Sequence, residues 1–332
     1  MEGTKKREIN HCLNVIKGIA CIGVVFTHVL FPGKIGNIIL TAAACLVPVF
    51  FMISGYYAFS ESNLELIKKT PEKIVYIERI AGMSGILYIM WKFMKAFIKN
   101  VDFTIVVQDF NLKNVFRFFL INSTSFLDGG HLWFLFALLY CYVTLWLVVQ
   151  YGKVKILYPM VFVMLVGRVL ITYTGNWQHT QNFWFDGFPY FFLGYFMREY
   201  RTDVKKVSNK ILVVVIAGAL IFSELIYWYS FFRINMYEIG TIVAAVSVFL
   251  YALQNGEKGK GCWLEQLGNK YSLFVYVVHV IVLEILSIMD SRMFGTLPLW
   301  YRWIKPLVVF GITIGLAIIF QKIEKRMINR RY

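Results

Sequence analysis

Ten long apolar runs, separated by polar or charged stretches, account for most of this chain and fix the solvent it folds in. They are Val15–Phe31, Ile35–Phe59, Ile80–Ile98, Leu132–Gln150, Ile156–Tyr173, Phe185–Met197, Ile211–Phe231, Tyr237–Leu253, Leu273–Met289 and Leu299–Gln321. An α-helix needs about 20 apolar residues to cross the hydrocarbon layer, where no water satisfies the backbone and each span must bond its own amides. Composition agrees: 58% of the 332 residues are apolar, 18% aromatic and 16% charged, with mean hydropathy +0.61. Ordinary globular domains hold roughly 45–50% apolar residues. The expected fold is an all-α integral membrane protein of about ten transmembrane helices, read as a single membrane domain over 1–332. The sixth run is short for a span, so it is expected either to begin earlier, around Trp177, or to form a broken helix at a binding site.

The basic residues orient these spans. If the first span runs outward, the inner loops hold 22 of the 34 lysines and arginines, including Lys5, Lys6 and Arg7 at one end of the chain and Arg330 and Arg331 at the other. The outer loops and flanks hold ten, and Lys17 and Arg168 lie within spans. The positive-inside bias therefore predicts that both termini are cytoplasmic. The net charge of +15 then reflects basic loops beside anionic lipid, and no nucleic-acid partner is needed to account for it. The first run has no small-residue cleavage site and reads as a retained helix. The five cysteines form no CxxC and lie mostly in apolar stretches, so they read as small buried hydrophobes, and no metal site is expected.

Ionisable groups inside the spans carry the chemistry. Eleven residues separate Lys17 from His28, and at about 100° per residue a helix returns them to almost the same face, roughly 16 Å apart along its axis. A cation and an imidazole on one buried stripe are costly in hydrocarbon, which favours a functional site or a cavity lining. Two connecting segments also stand out. Residues 61–78 form a basic, cytoplasmic segment, and residues 100–130 an outward stretch of aromatic and aliphatic residues among polar ones. Each fits a membrane-surface helix, and together they could roof a central cavity at both ends.

The run Asn14-Val-Ile-Lys-Gly-Ile-Ala-Cys-Ile-Gly-Val-Val-Phe-Thr-His28 resembles the opening helix of the acyltransferase family 3 membrane proteins, which is marked by an arginine followed by a histidine. Further segments resemble the family's motifs in order. They are Pro48-Val-Phe-Phe-Met-Ile-Ser-Gly-Tyr-Tyr57, His131-Leu-Trp-Phe-Leu-Phe-Ala-Leu-Leu139, Gly187-Phe-Pro-Tyr-Phe-Phe-Leu-Gly-Tyr195 and Leu267-Gly-Asn-Lys-Tyr-Ser-Leu-Phe-Val-Tyr-Val-Val-His279. Five motifs in order span nearly the whole chain. Two positions depart from the pattern: Lys17 stands where the family has arginine, keeping the charge but losing a planar fork, and the paired-arginine motif is reduced to Arg79, with Gly82 in the second place.

The resemblance implies transfer of an acyl group, acetyl by default, from cytoplasmic acyl-CoA to a hydroxyl of an extracytoplasmic glycan or lipid-linked sugar, in a bacterial plasma membrane. Acyl-CoA is then a donor substrate, and no bound cofactor is implied. His28 becomes the catalytic base, and Lys17 and Arg79 the donor-binding residues. Supporting or acceptor roles fall to Ser54, His131, Trp133, Arg168, Asp186, His279 and Glu284, each with a structural reading beside it. Arg168 can pair with Glu224 or Asp186, His279 can pair with Glu284, His131 and Trp133 suit a membrane interface, and Ser54 with Gly55 would let the first two spans approach closely. His11 and His179 read as solvated. A transporter of a small molecule such as an amino acid, as in the membrane domains fused to serine racemases, is the alternative class.

Overall fold

The computed structural model of the chain describes residues 9–201, 207–228 and 237–329. Lys5, Lys6, Arg7, Lys205, Lys206, Arg233, Arg330 and Arg331, used above to orient the spans, lie outside the described residues, as does the end of the seventh run beyond residue 228. Among the described residues all regular structure is helical, and nine helices are long and apolar enough to cross a membrane. The sixth run does not reach that length. It folds as a five-residue π-helical turn, Phe183–Gly187, running directly into the 12-residue helix Phe188–Glu199. Trp177 belongs to a separate 3-10 turn, Trp177–Thr180. The helix therefore starts at Phe183, because the Asn182 side chain accepts hydrogen bonds from the amides of Trp184 (2.8 Å) and Phe185 (3.2 Å) and caps it there.

The chain divides into two compact units: Met1–Val47 with Lys205–Glu224 and Val243–Tyr332, and Pro48–Val204 with Leu225–Ile242. In the first, α1 (His11–His28) begins at an Asn10 cap, whose side chain accepts from the Leu13 amide at 2.9 Å and donates to the Ala252 carbonyl at 3.0 Å. The His11 amide donates to the Gly256 carbonyl at 2.7 Å, and the His11 ring pairs with Glu265. His11 is therefore half-buried in a polar clamp and not solvated as expected, because a partner 254 positions along the chain folds onto it.

Two glycines then let helices touch backbone to backbone. A β-carbon at Gly18 would lie 2.2 Å from the Leu264 carbonyl oxygen, and one at Gly268 only 1.9 Å from that of Asn14. Beyond this crossing, Cys21, Val25 and Val29 pack in one core with Leu267, Val275 and Val282, and with Val309 and Ala317 of the last helix, Leu299–Asn329.

The second unit uses the same device. In the helix Leu46–Ala58, a β-carbon at Gly55 would lie 1.7 Å from the Phe191 carbonyl oxygen, and one at Gly194 would lie 2.0 Å from that of Met52. The close approach expected at Ser54 and Gly55 is thus made to the helix Phe188–Glu199, while the Ser54 hydroxyl donates back to the Phe50 carbonyl at 2.9 Å. Residues 63–98 form one 36-residue helix, so most of segment 61–78 is the first half of a continuous rod. Segment 100–130 contains the short helices Phe103–Gln108 and Leu112–Ile121. It is tied to the long helix by Lys92, which bonds Asp109 at 2.6 Å and the Phe126 carbonyl at 3.1 Å, and by an ion pair of Lys95 with Asp128. None of Leu112–Ile121 is buried; Phe116 and Phe119 are 62% and 68% exposed, as suits a helix whose apolar face meets lipid.

Candidate active site

The first unit holds four of the candidates, Lys17, His28, His279 and Glu284, and brings two of them, His28 and His279, into contact. Lys17 is half-buried at the point where α1 crosses the second π-helical turn, Leu267–Tyr271, close enough that a β-carbon at Gly268 would come 2.9 Å from its own Cβ. π turns leave backbone groups offset from the α ladder and recur at functional sites. Eleven residues further along α1, His28 is the last helical residue and is exposed.

Its ring centroid lies 5.0 Å from that of His279, with the planes tilted by 60°. His279 belongs to the helix Ser272–Met293 and is fully buried, next to Val275 and Val282 of the shared core. Its Nδ1 lies 2.8 Å from the Tyr276 carbonyl oxygen and 3.0 Å from that of Val275. Two acceptors at that nitrogen assign the proton of the neutral ring to Nδ1. Glu284 is half-buried five residues further on, a rotation of roughly 140° that puts it on a different face of the helix from His279.

The other candidates belong to the second unit. Arg168 is 5% exposed in the helix Leu157–Tyr173 and binds two carboxylates: Asp186 of the first π turn, and Glu238 through Nε at 2.8 Å. Asp186 and Glu238 are each 3% exposed, and the Arg168 guanidinium lies over the Tyr190 ring at 5.7 Å. The expectation named Glu224 or Asp186, and Glu238 was missed because it stands at the start of the span Tyr237–Gln254, where it reads as a boundary residue. The signal that could have found it is its place as a lone acid at an apolar boundary, in a chain with an arginine to neutralise inside a span.

His131 is buried with Nε2 3.3 Å from the Tyr88 hydroxyl, so it is packed inside the unit more deeply than an interfacial histidine. Trp133 starts the helix Trp133–Gln150, with its ring 6.1 Å from Phe51 and its carbonyl accepting from Asn122 at 2.9 Å. Asn122 also accepts from the Phe183 amide at 2.6 Å, pinning the outer loop to the first π turn. Arg79 is exposed on the long helix, and a β-carbon at Gly82 would meet nothing within 4 Å.

The two units thus hold different arrangements of ionisable groups. A half-buried ammonium and an exposed imidazole eleven residues apart on one helix, the imidazole beside a second ring, offer a contact for an anion and a group able to carry a proton. The buried Arg168 donates through Nε and Nη1 to two acids and the Phe185 carbonyl, an ion-paired cluster within the second unit. No curated protein and no solved structure matches the chain. The acyltransferase domain family, acyltransferase 3, matches residues 10–322, from the cap of α1 into the last helix and across both units. The chain belongs to the acyltransferase 3 family of membrane proteins.

Proposed function

We propose that the protein is an O-acyltransferase that moves an acyl group, acetyl first among them, from acyl-CoA on the cytoplasmic side to a hydroxyl of a glycan or lipid-linked sugar on the outer side of a bacterial plasma membrane. The observation that carries this reading is the exposed imidazole of His28 at the end of an otherwise apolar helix that also holds Lys17. With both termini cytoplasmic, as the basic loops favour, Lys17 meets the inner side and His28 the outer mouth. The same loops would draw anionic lipid headgroups around the inner face.

The chemistry balances within this frame. A sugar hydroxyl is a weak nucleophile, so His28 takes its proton as the oxygen attacks the thioester carbonyl. The C–S bond then breaks and an ester C–O bond forms. The proton passes from the imidazolium to the departing CoA thiolate, so no other reactant is needed. General-base assistance of this kind contributes about 10²–10⁴-fold. Lys17 supplies attraction for CoA phosphate at the donor end, with Arg79 assigned to the same substrate by the family motif.

Lys17 separates donor binding from packing. Lys17→Arg restores the family's residue and is expected to bind CoA at least as tightly as the parent protein. Lys17→Met should bind about 10–100-fold more weakly, the loss of one charge-assisted hydrogen bond of about 1.5–3 kcal/mol. Calorimetric titration of the detergent-purified proteins with CoA checks this, and equal affinity in all three would remove Lys17 from the donor site.

A further inference from the structure

We infer that Arg198, seated on the ring of Tyr56, is a phosphate-binding residue of the second unit, and that the phosphate it takes belongs to the acyl-CoA donor. The inference rests on the acyl-transfer reading and adds to it a donor contact that none of the five motifs marks. Six lysines and arginines are buried or half-buried among the described residues. Four of them meet a carboxylate: Lys92 with Asp109 at 2.6 Å, Lys95 with Asp128, Arg168 with Asp186 and Glu238, and Lys305 with Asp290 at 2.7 Å. The other two, Lys17 and Arg198, pair with no acid among the described residues. An enclosed cation without a counter-charge is costly in a membrane protein, and it points to an anion supplied from outside the chain. Lys17 is the residue that the family motif gives to the donor. A criterion independent of the motif thus returns Lys17 and adds Arg198.

Arg198 stands in the last turn of the helix Phe188–Glu199, and Tyr56 in the last turn of Leu46–Ala58. These helices meet backbone to backbone at Gly194 and Gly55, and the close crossing brings the two side chains together. The guanidinium carbon lies 4.9 Å from the Tyr56 ring centroid, and Nη1 donates to the Tyr56 hydroxyl at 2.7 Å. No other hydrogen bond joins the guanidinium to the described residues. A guanidinium carries several N–H donors in a rigid planar fork, the geometry that takes two phosphate oxygens at once. One donor therefore holds the group on its aromatic seat, and the rest face outward for a ligand. The carbonyl end of the helix favours a cation at this position, but that does not account for enclosing an arginine without an acid. On the orientation the basic loops favour, this end of the helix meets the cytoplasm, where acyl-CoA is found.

The test compares acetyl-CoA with acetyl-pantetheine, which keeps the thioester and has no phosphate. In neutral detergent free of anionic lipid, Arg198→Gln should bind acetyl-CoA about 10–100-fold more weakly than the parent, the loss expected for one charge-assisted hydrogen bond. Its kcat/KM for transfer from acetyl-pantetheine should match the parent value. Arg198→Lys keeps the charge without the fork and should fall between them, and it carries the test if the Gln protein does not fold. Parent-like affinity for acetyl-CoA in both variants, or an equal loss with the two donors, would overturn the inference. A lipid headgroup offers the same phosphate chemistry, so thermal unfolding is also read in phosphatidylcholine nanodiscs with and without phosphatidylglycerol. Variants that bind acetyl-CoA like the parent but lose stabilisation by phosphatidylglycerol would give Arg198 to lipid and overturn the donor assignment. A parent protein that binds no acetyl-CoA would sink the acyl-CoA reading, and this inference with it. A parent that binds it, beside equally tight Arg198 variants, sinks the inference alone, so the two failures are distinguishable.

Discussion

His28→Ala should lower acyl transfer by about 10²–10⁴-fold while leaving CoA affinity and melting temperature close to the parent values. The size follows from the proposed role, in which the imidazole takes the acceptor's proton as a general base. The small structural cost follows from position, since His28 is the last residue of α1 and its side chain is exposed. Steady-state transfer to a soluble hydroxyl acceptor, read beside CoA titration and thermal unfolding, checks all three quantities. Turnover within a few-fold of the parent would take His28 out of the mechanism.

Arg168→Met should have the largest effect on the fold, costing about 3–5 kcal/mol because it leaves two desolvated carboxylates without their cation. Asp186 and Glu238 are each 3% exposed, so water does not replace the guanidinium. Arg168→Lys keeps the charge but cannot reach both acids through a planar fork, so it should fall between the two. The double replacement Asp186→Asn with Glu238→Gln in the Arg168→Met background should recover much of the loss, since no buried charge then remains. Thermal unfolding in one detergent ranks the four proteins. An Arg168→Met protein as stable as the parent would show that the triad is solvated and contributes little.

The spans were legible because length and hydropathy decide them in hydrocarbon, and among the described residues nine of the ten runs return as helices of membrane length. The sixth was legible only as short: its start is decided by the Asn182 cap and a π turn, both matters of local geometry. The Lys17–His28 stripe could be read from one helical period. Its continuation to His279 could not, because that ring is brought to His28 by a fold joining positions 251 residues apart. Glu238 and the His11–Glu265 clamp were hidden for the same reason, since tertiary packing chooses ionic partners that linear spacing leaves open. Gly55 was read correctly as a place of close approach but given the wrong neighbour, which is decided by where Gly194 presents its own bare backbone.

The most direct measurement uses protein reconstituted in sealed vesicles, sorted for one orientation, with radiolabelled acetyl-CoA on the face bearing the chain termini and a glycan acceptor confined to the other. The account expects label to appear as an ester on the acceptor in the opposite compartment, with free CoA left behind on the donor side and transfer slower by about 10²–10⁴-fold in His28→Ala. Label that reaches the acceptor only when donor and acceptor share a compartment would contradict transfer across the membrane. Intact acetyl-CoA with acceptor unmodified in every arrangement would contradict the acyltransferase reading as a whole.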